Sequence, residues 1–144
     1  VKIQYKYDDK GFVRDMKRIR EQHDKMLVRE IAVAGRDTAR AAKSFVPVQH
    51  SNLKNSITTN IKGMTAIVGT RVQYAPYVEF GTGFLVNVPS ELKDYAMQFK
   101  GKGLRQVNTG SRPYLYPAFF INREKLVKRL DKKTEEIFRK NSKR

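Results

Sequence analysis

The chain has 144 residues, 30 Lys plus Arg against 14 Asp plus Glu, a formal charge of +16 and 40% hydrophobic residues. That length fits one domain, 1–144, with a core of its own, and the hydrophobic content excludes a disordered polybasic tail. The absence of Cys excludes a disulfide framework, a thiolate metal site and a cysteine nucleophile. No apolar run approaches the roughly 18–20 residues of a membrane span, and Val1–Lys10 is too polar for a signal peptide.

The charge is spread: residues 1–46, 47–120 and 121–144 carry net +5, +5 and +6. A field of that sign favours acidic partners, with nucleic acid first among them.

The first element is a long helix, about Phe12 to Phe45. Met16, Ile19, His23, Met26 or Leu27, Ile31, Ala34, Thr38, Ala41 and Phe45 recur at three- and four-residue steps. Its second half is rich in Ala and contains Gly35, a thin face that lets a sheet or helix approach closely. Pro47 ends it, because the residue before a proline is pushed out of the helical region. Val48–Leu53 reads as a polar turn. Ser56–Ile61 alternates, Lys62-Gly63 supplies a turn, and Met64–Val72 is a second β-rich run, which together predict a β-hairpin. Pro76 suits the first turn of a short helix over Ala75–Phe80, stopped by Gly81-Thr82-Gly83. Phe84–Val88 is a short strand or a loop, and Pro89–Phe99 a short helix. Residues 98–112 carry Lys100, Lys102, Arg105 and Arg112 among three glycines and no acid, the composition of a flexible basic loop. Arg112–Pro117 is an extended aromatic entry to a second long helix from Pro117 to about Arg139, whose seam is Phe119/Phe120, Leu126/Val127, Leu130 and Ile137/Phe138. Residues 141–144 should fray. Long helices, short central helices and an antiparallel hairpin indicate an α+β domain.

Chemistry-bearing residues are sparse. His23 and His50 stand 27 positions apart with no carboxylates at metal-ligand spacing, so no metal site is assigned. Ser51 beside His50 has no oxyanion motif around it. Gly81-Thr-Gly83 and Gly101-Lys-Gly103 do not extend to a phosphate-binding fingerprint. No catalytic residue and no cofactor is assigned. Glu79 is the exception among the acids, since it sits among aromatics in Tyr74-Ala-Pro76-Tyr77-Val-Glu79-Phe80-Gly81. A buried acid needs a partner, and Arg112 and Arg71 are the candidates for a structural ion pair. Tyr74, Tyr77, Phe80, Tyr114 and Tyr116 form either a core cluster, the preferred reading, or a stacking platform for single-stranded nucleic acid.

Taken in order, the long helix, Asn52-Leu-Lys-Asn-Ser-Ile57, the hairpin, Tyr74-Ala-Pro-Tyr-Val-Glu-Phe-Gly-Thr-Gly83, Arg112-Pro113-Tyr114-Leu-Tyr-Pro117-Ala118 and the last helix resemble the small tail-component family of long-tailed bacteriophages, the tail-completion or head–tail joining proteins. Gln49, His50 and Ser51 depart from that family's usual first loop. The resemblance implies a structural virion protein and not an enzyme. It implies a neck ring, commonly of six copies, between the connector and the tail terminator or tube, assembled in the bacterial cytoplasm, with no membrane partner. It assigns Tyr74, Pro76, Tyr77, Phe80, Gly81, Pro113, Tyr114 and Pro117 to the packing motifs. Lys100, Lys102 and Arg105 are the candidate contacts to double-stranded DNA or an acidic neighbour. Two alternatives remain open: a free-standing basic nucleic-acid-binding module, and a small hydrolase using Glu79.

Overall fold

In the computed structural model, residues 9–82, 88–98 and 109–142 are described. Helix α1 runs from Asp9 to Phe45, 37 residues and about 55 Å long at 1.5 Å per residue. A 3-10 turn, Val48–His50, leads into α2 (Ser51–Ser56). The hairpin follows as β1 (Thr58–Lys62) and β2 (Thr65–Gly69). Then come α3 (Ala75–Phe80), a 3-10 turn at Ser90–Leu92, α4 (Lys93–Met97) and α5 (Leu115–Ser142). The α+β architecture expected from the sequence is therefore present: two long helices, a two-stranded antiparallel sheet and short helices between them.

Helices α1 and α5 lie antiparallel. Glu30 of α1 meets Arg129 and Lys133 of α5, His23 lies 3.4 Å from the Thr134 hydroxyl, and Asn141 donates to the Gln22 amide oxygen at 3.1 Å. With Gln22 opposite Asn141, the first turns of α1 run beyond the end of α5, where Phe12, Val13 and Met16 are exposed. Asn141 also donates to the Ile137 carbonyl at 2.8 Å. Of the segment 141–144 expected to fray, Asn141 and Ser142 are placed in the last turn of α5, and residues 143–144 lie outside the described set.

The hairpin lies on α1. Thr59, Ile61, Ala66 and Val68 alternate toward the helix and are half-buried, while Thr58, Asn60, Lys62, Thr65 and Ile67 face out. Gly35 is where the two meet: a Cβ there would stand 2.7 Å from Ala66 Cβ and 3.2 Å from Thr59 Cγ2. The thin stretch of α1 accommodates the sheet, as its small residues require. Lys62 pairs with Thr65, so the turn is the two-residue Gly63-Met64. Gly63 has φ +53° and Met64 has no positive φ, the pattern of a type II′ turn whose first position favours glycine.

The core gathers Ala39, Ala42, Val46, Leu53, Ile57, Ala75, Tyr114 and Ala118. Several sequence boundaries move because of it. Val48–Leu53, read as a turn from its polar residues, contains a 3-10 turn and the start of α2, and Leu53 is completely buried. Leu53 and Ile57 are four apart, and burying both holds a helical turn where composition suggested none. The first strand starts at Thr58, since Ile57 is part of this core. At the end of α1 the buried face is Ala39, Ala42 and Val46, while Phe45 is exposed, so the apolar stripe drifts by one residue toward the core formed with α2 and α3. None of the described helices is long and apolar enough to cross a membrane.

Candidate functional site

The two aromatic motifs, one ending α3 and one opening α5, are tied together through backbone and not through an ion pair. Glu79 Oε2 accepts the N–H groups of Tyr114 and Leu115, each at 2.9 Å, and Oε1 accepts that of Tyr116 at 2.9 Å. Beside them Arg112 N–H donates to the Val78 carbonyl at 2.8 Å. Thr82 N–H donates to the Thr109 carbonyl, and Thr109 N–H to the Thr82 hydroxyl, both at 2.9 Å.

This corrects the expected partner of Glu79. Arg112 and Arg71 have exposed side chains, and among the described residues neither makes an ion pair with it. The physical reason lies in α5. The first four N–H groups of a helix have no intrahelical acceptor. Here they belong to Tyr114, Leu115, Tyr116 and position 117. Glu79 takes the first three, and the fourth position is Pro117, which has no N–H. One carboxylate and one proline therefore complete the helix end, and a negative charge stands at its positive pole. This also explains why α5 begins at Leu115, two residues before the expected Pro117. Proline fits the first turn, so it does not have to open it.

Glu79 is 5% exposed and Tyr114 2% exposed, with Phe80 and Gly81 also buried. Burial, and after it the Glu79 charge and Tyr74, push the Tyr114 phenol well above its usual value. Gly81 closes α3 with φ +77°, its N–H bonded to the Tyr77 carbonyl; a positive φ there favours glycine. Tyr74 and Tyr77 differ from the rest of the expected aromatic cluster. They are 37% and 41% exposed, and Tyr74 lies 6.0 Å from the His50 ring. Pro76, Pro113 and Pro117 are half-buried.

The basic loop expected over 98–112 is fixed at its C-terminal end, where Thr109 and Arg112 are hydrogen-bonded to the α3 side. Lys100, Lys102 and Arg105 lie outside the described residues, as does all but Val88 of the expected strand or loop at Phe84–Val88.

Beside the clasp is an open apolar groove of about 790 Å³ between α1, β2, α4 and α5. Ile31, Ala34, Phe80, Tyr95, Phe119 and Phe120 are among its walls, as are Met64–Val68. Phe119 packs edge-on against Phe120 at 5.6 Å. Among the described residues no group of three His, Asp, Glu or Cys converges as metal ligands.

A second pairing escaped the sequence reading. Glu30, 3% exposed, accepts from Arg129 Nε at 2.9 Å and from the Lys133 ammonium. The hydrogen bond from Lys133 is the main reason its carboxyl is held below the ordinary value; burial opposes the shift and Arg129 supports it. The signal available was an acid on the apolar stripe of one long helix and cations on the seam of the other.

Residues 10–81, from the first turn of α1 through α3, match the family described as "HK97-gp10_like: Bacteriophage HK97-gp10, putative tail-component". The match includes Glu79 and stops before its partners in α5. No curated protein and no solved structure shows significant similarity to the chain. The chain belongs to the HK97-gp10-like family, structural tail components of tailed bacteriophages.

Proposed function

We propose that the protein is a ring subunit of the phage neck, a tail-completion or head–tail joining component that links the DNA-filled head to the tail and lets the genome pass. The observation that carries this reading is membership of the tail-component family. Such a protein resides in the virion and contacts other virion proteins. The finer reading is six copies between the connector and the tail terminator or tube, assembled in the host cytoplasm, without a cofactor or a reaction of its own.

Physical features support it. A ring of heterologous contacts closes only if each subunit keeps a fixed rotation. The Glu79 clasp fixes the corner between α3 and α5, and the Glu30 pairing ties α5 to α1. Six copies would bring about +96 around one axis. That field acts on passing double-stranded DNA without reading its sequence, or on acidic neighbouring rings, where it sets docking register. Lys100, Lys102 and Arg105 are proposed contacts. Lys125, Lys128 and Lys132, exposed at three- and four-residue steps on α5, add a rigid row of cations.

Electron microscopy of particles grown without the protein tests this reading. Filled heads and complete tails should accumulate unjoined, and a labelled copy should sit at the junction. Normally joined particles, or a label elsewhere, would overturn it. The charge of +16 favours one competitor, a dedicated nucleic-acid-binding module. Tight binding to free DNA with a steep salt dependence would support that competitor, whereas a neck subunit binds free DNA weakly.

A further inference from the structure

We infer that the side of the α1/α5 pair turned away from the hairpin is a docking face for the phosphate backbone of double-stranded DNA. Its cations are Arg29, Arg36 and Arg40 of α1 and Lys125, Lys128 and Lys132 of α5.

Helical spacing brings the six to one side. On α1, Ile31, Gly35 and Thr38 line the groove under the hairpin, and at 3.6 residues per turn Arg29, Arg36 and Arg40 fall on the opposite side. On α5, Tyr116, Phe119 and Arg123 line the same groove, and Lys125, Lys128 and Lys132 fall opposite them. The buried Glu30 pairing sets the register. Glu30 reaches both Arg129 and Lys133, so it stands level with position 131. Counting outward along antiparallel helices, Arg29 is level with Lys132 and Arg36 with Lys125, and Lys128 lies between. Two columns of cations result, on helix axes about 8–10 Å apart, and Arg29 to Arg40 covers about 16 Å. All six side chains are exposed. Asp37 is the acid beside them, and Arg40 holds it at 3.1 Å. Glu124 and Asp131 point off the edge of α5 that is farthest from α1. Among the described residues none of the other five cations makes an ion pair.

The chemistry of the face selects the partner. A protein–protein interface has an apolar, aromatic centre. Here the exposed aromatics Tyr95 and Phe119 line the groove on the other side, and of the exposed large apolar residues only Ile121 borders the cation columns. Duplex DNA offers what the face lacks. It presents one phosphate charge per about 1.7 Å of its axis, about ten over the length of the columns, and a guanidinium can grip a phosphate with two parallel hydrogen bonds. Rigid helices hold the cations apart, so little is lost in ordering them. No Asn or Gln is exposed between these columns to read a base edge, so the contact is indifferent to sequence and slackens with salt.

This inference deepens the proposed reading, which leaves the charge to DNA or to an acidic ring, by naming the face and its partner; it depends on neither ring number nor place in the virion. Fluorescence anisotropy of a short labelled duplex of mixed sequence, titrated with the full-length chain at several salt concentrations, tests it. The parent should bind in the weak, non-specific range, and a shuffled duplex should bind equally. The variant Arg29→Gln, Arg36→Gln, Lys125→Gln and Lys128→Gln should bind at least about tenfold more weakly at low salt, with the logarithmic salt slope reduced by about 3–4. A control with Lys17→Gln, Lys54→Gln, Lys62→Gln and Lys93→Gln removes the same charge from exposed positions outside the face, and its slope should stay near that of the parent. The smaller change Arg36→Gln with Lys125→Gln should lower the slope by about 2 and guards against a misfolded quadruple variant, with circular dichroism confirming the fold of each. Equal losses in face variant and control, or an unchanged face variant, would overturn the inference. So would a parent that ignores the duplex but binds polyglutamate through these residues, which would assign the face to an acidic protein. If the face fails while a labelled copy still sits at the head–tail junction, the neck reading stands; if the face holds DNA and the label lies elsewhere, the neck reading falls alone.

Discussion

Replacing Glu79 by Ala removes the acceptor for three backbone donors at once, those of Tyr114, Leu115 and Tyr116. A hydrogen bond to a charged group contributes about 1.5–3 kcal/mol, so three in isolation would exceed 4 kcal/mol. Water entering from the adjacent groove recovers part of that. The expected loss is therefore about 3–5 kcal/mol, a large share of the roughly 5–15 kcal/mol that holds a domain folded. At about 3 °C per kcal/mol for a chain of this length, Tm should fall by about 10–15 °C. Glu79→Gln should lose less, about 2–3 kcal/mol. Its remaining oxygen can serve Tyr114 and Leu115, but its NH2 faces the Tyr116 N–H and the charge at the helix pole is gone. Glu79→Asp should behave more like Ala, because a side chain one methylene shorter does not reach the helix end. Urea and thermal unfolding followed by circular dichroism measure all three. A Glu79→Ala variant within about 0.5 kcal/mol of the parent would refute the capping argument. An unaltered fold in Glu79→Gln with loss of some turnover would point back to the hydrolase reading.

Gly35→Ala gains about 1 kcal/mol of helix propensity, but its new Cβ would stand 2.7 Å from Ala66 Cβ, an atom fixed to the backbone that cannot rotate away. The net effect should be a loss of about 1–3 kcal/mol, largely restored in the double variant with Ala66→Gly; a stabilised single variant would disprove the close approach. Glu30 predicts an acid limb. Its carboxyl is held below the ordinary value of 4.5 chiefly by Lys133, so its contribution is complete above that pH and is lost as pH falls through the depressed value. Stability measured from pH 6 down to pH 2.5 should fall below about pH 4.5 in the parent, and less steeply in Glu30→Gln. Equal slopes would show that the pairing does not contribute.

Much of the fold is legible because local patterns write it. The three- and four-residue steps of α1 and α5, the alternation around Lys62-Gly63 and the proline at position 76 each act within a few residues, and each gave an element of the correct type. α2 was missed because its signal is only Leu53 and Ile57 among polar neighbours. It becomes a helix when both enter a core supplied by residues far along the chain.

The candidate site divides along the same line. The sequence by itself singled out Glu79, the only acid between Thr38 and Ser90, and the two motifs that meet around it. It also determined a dispersed positive charge. The partner of Glu79 was decided by tertiary structure alone. An acid in a sequence suggests a cation because cations have letters, and backbone amides have none. Only when α3 and the start of α5 come together do three amide donors converge on one carboxylate, with Pro117 removing the fourth. The pairing of Glu30 across about a hundred residues and the closeness of Gly35 to Ala66 are of the same kind. Each is a distance between elements, fixed by how helices and hairpin pack, and no local periodicity encodes it.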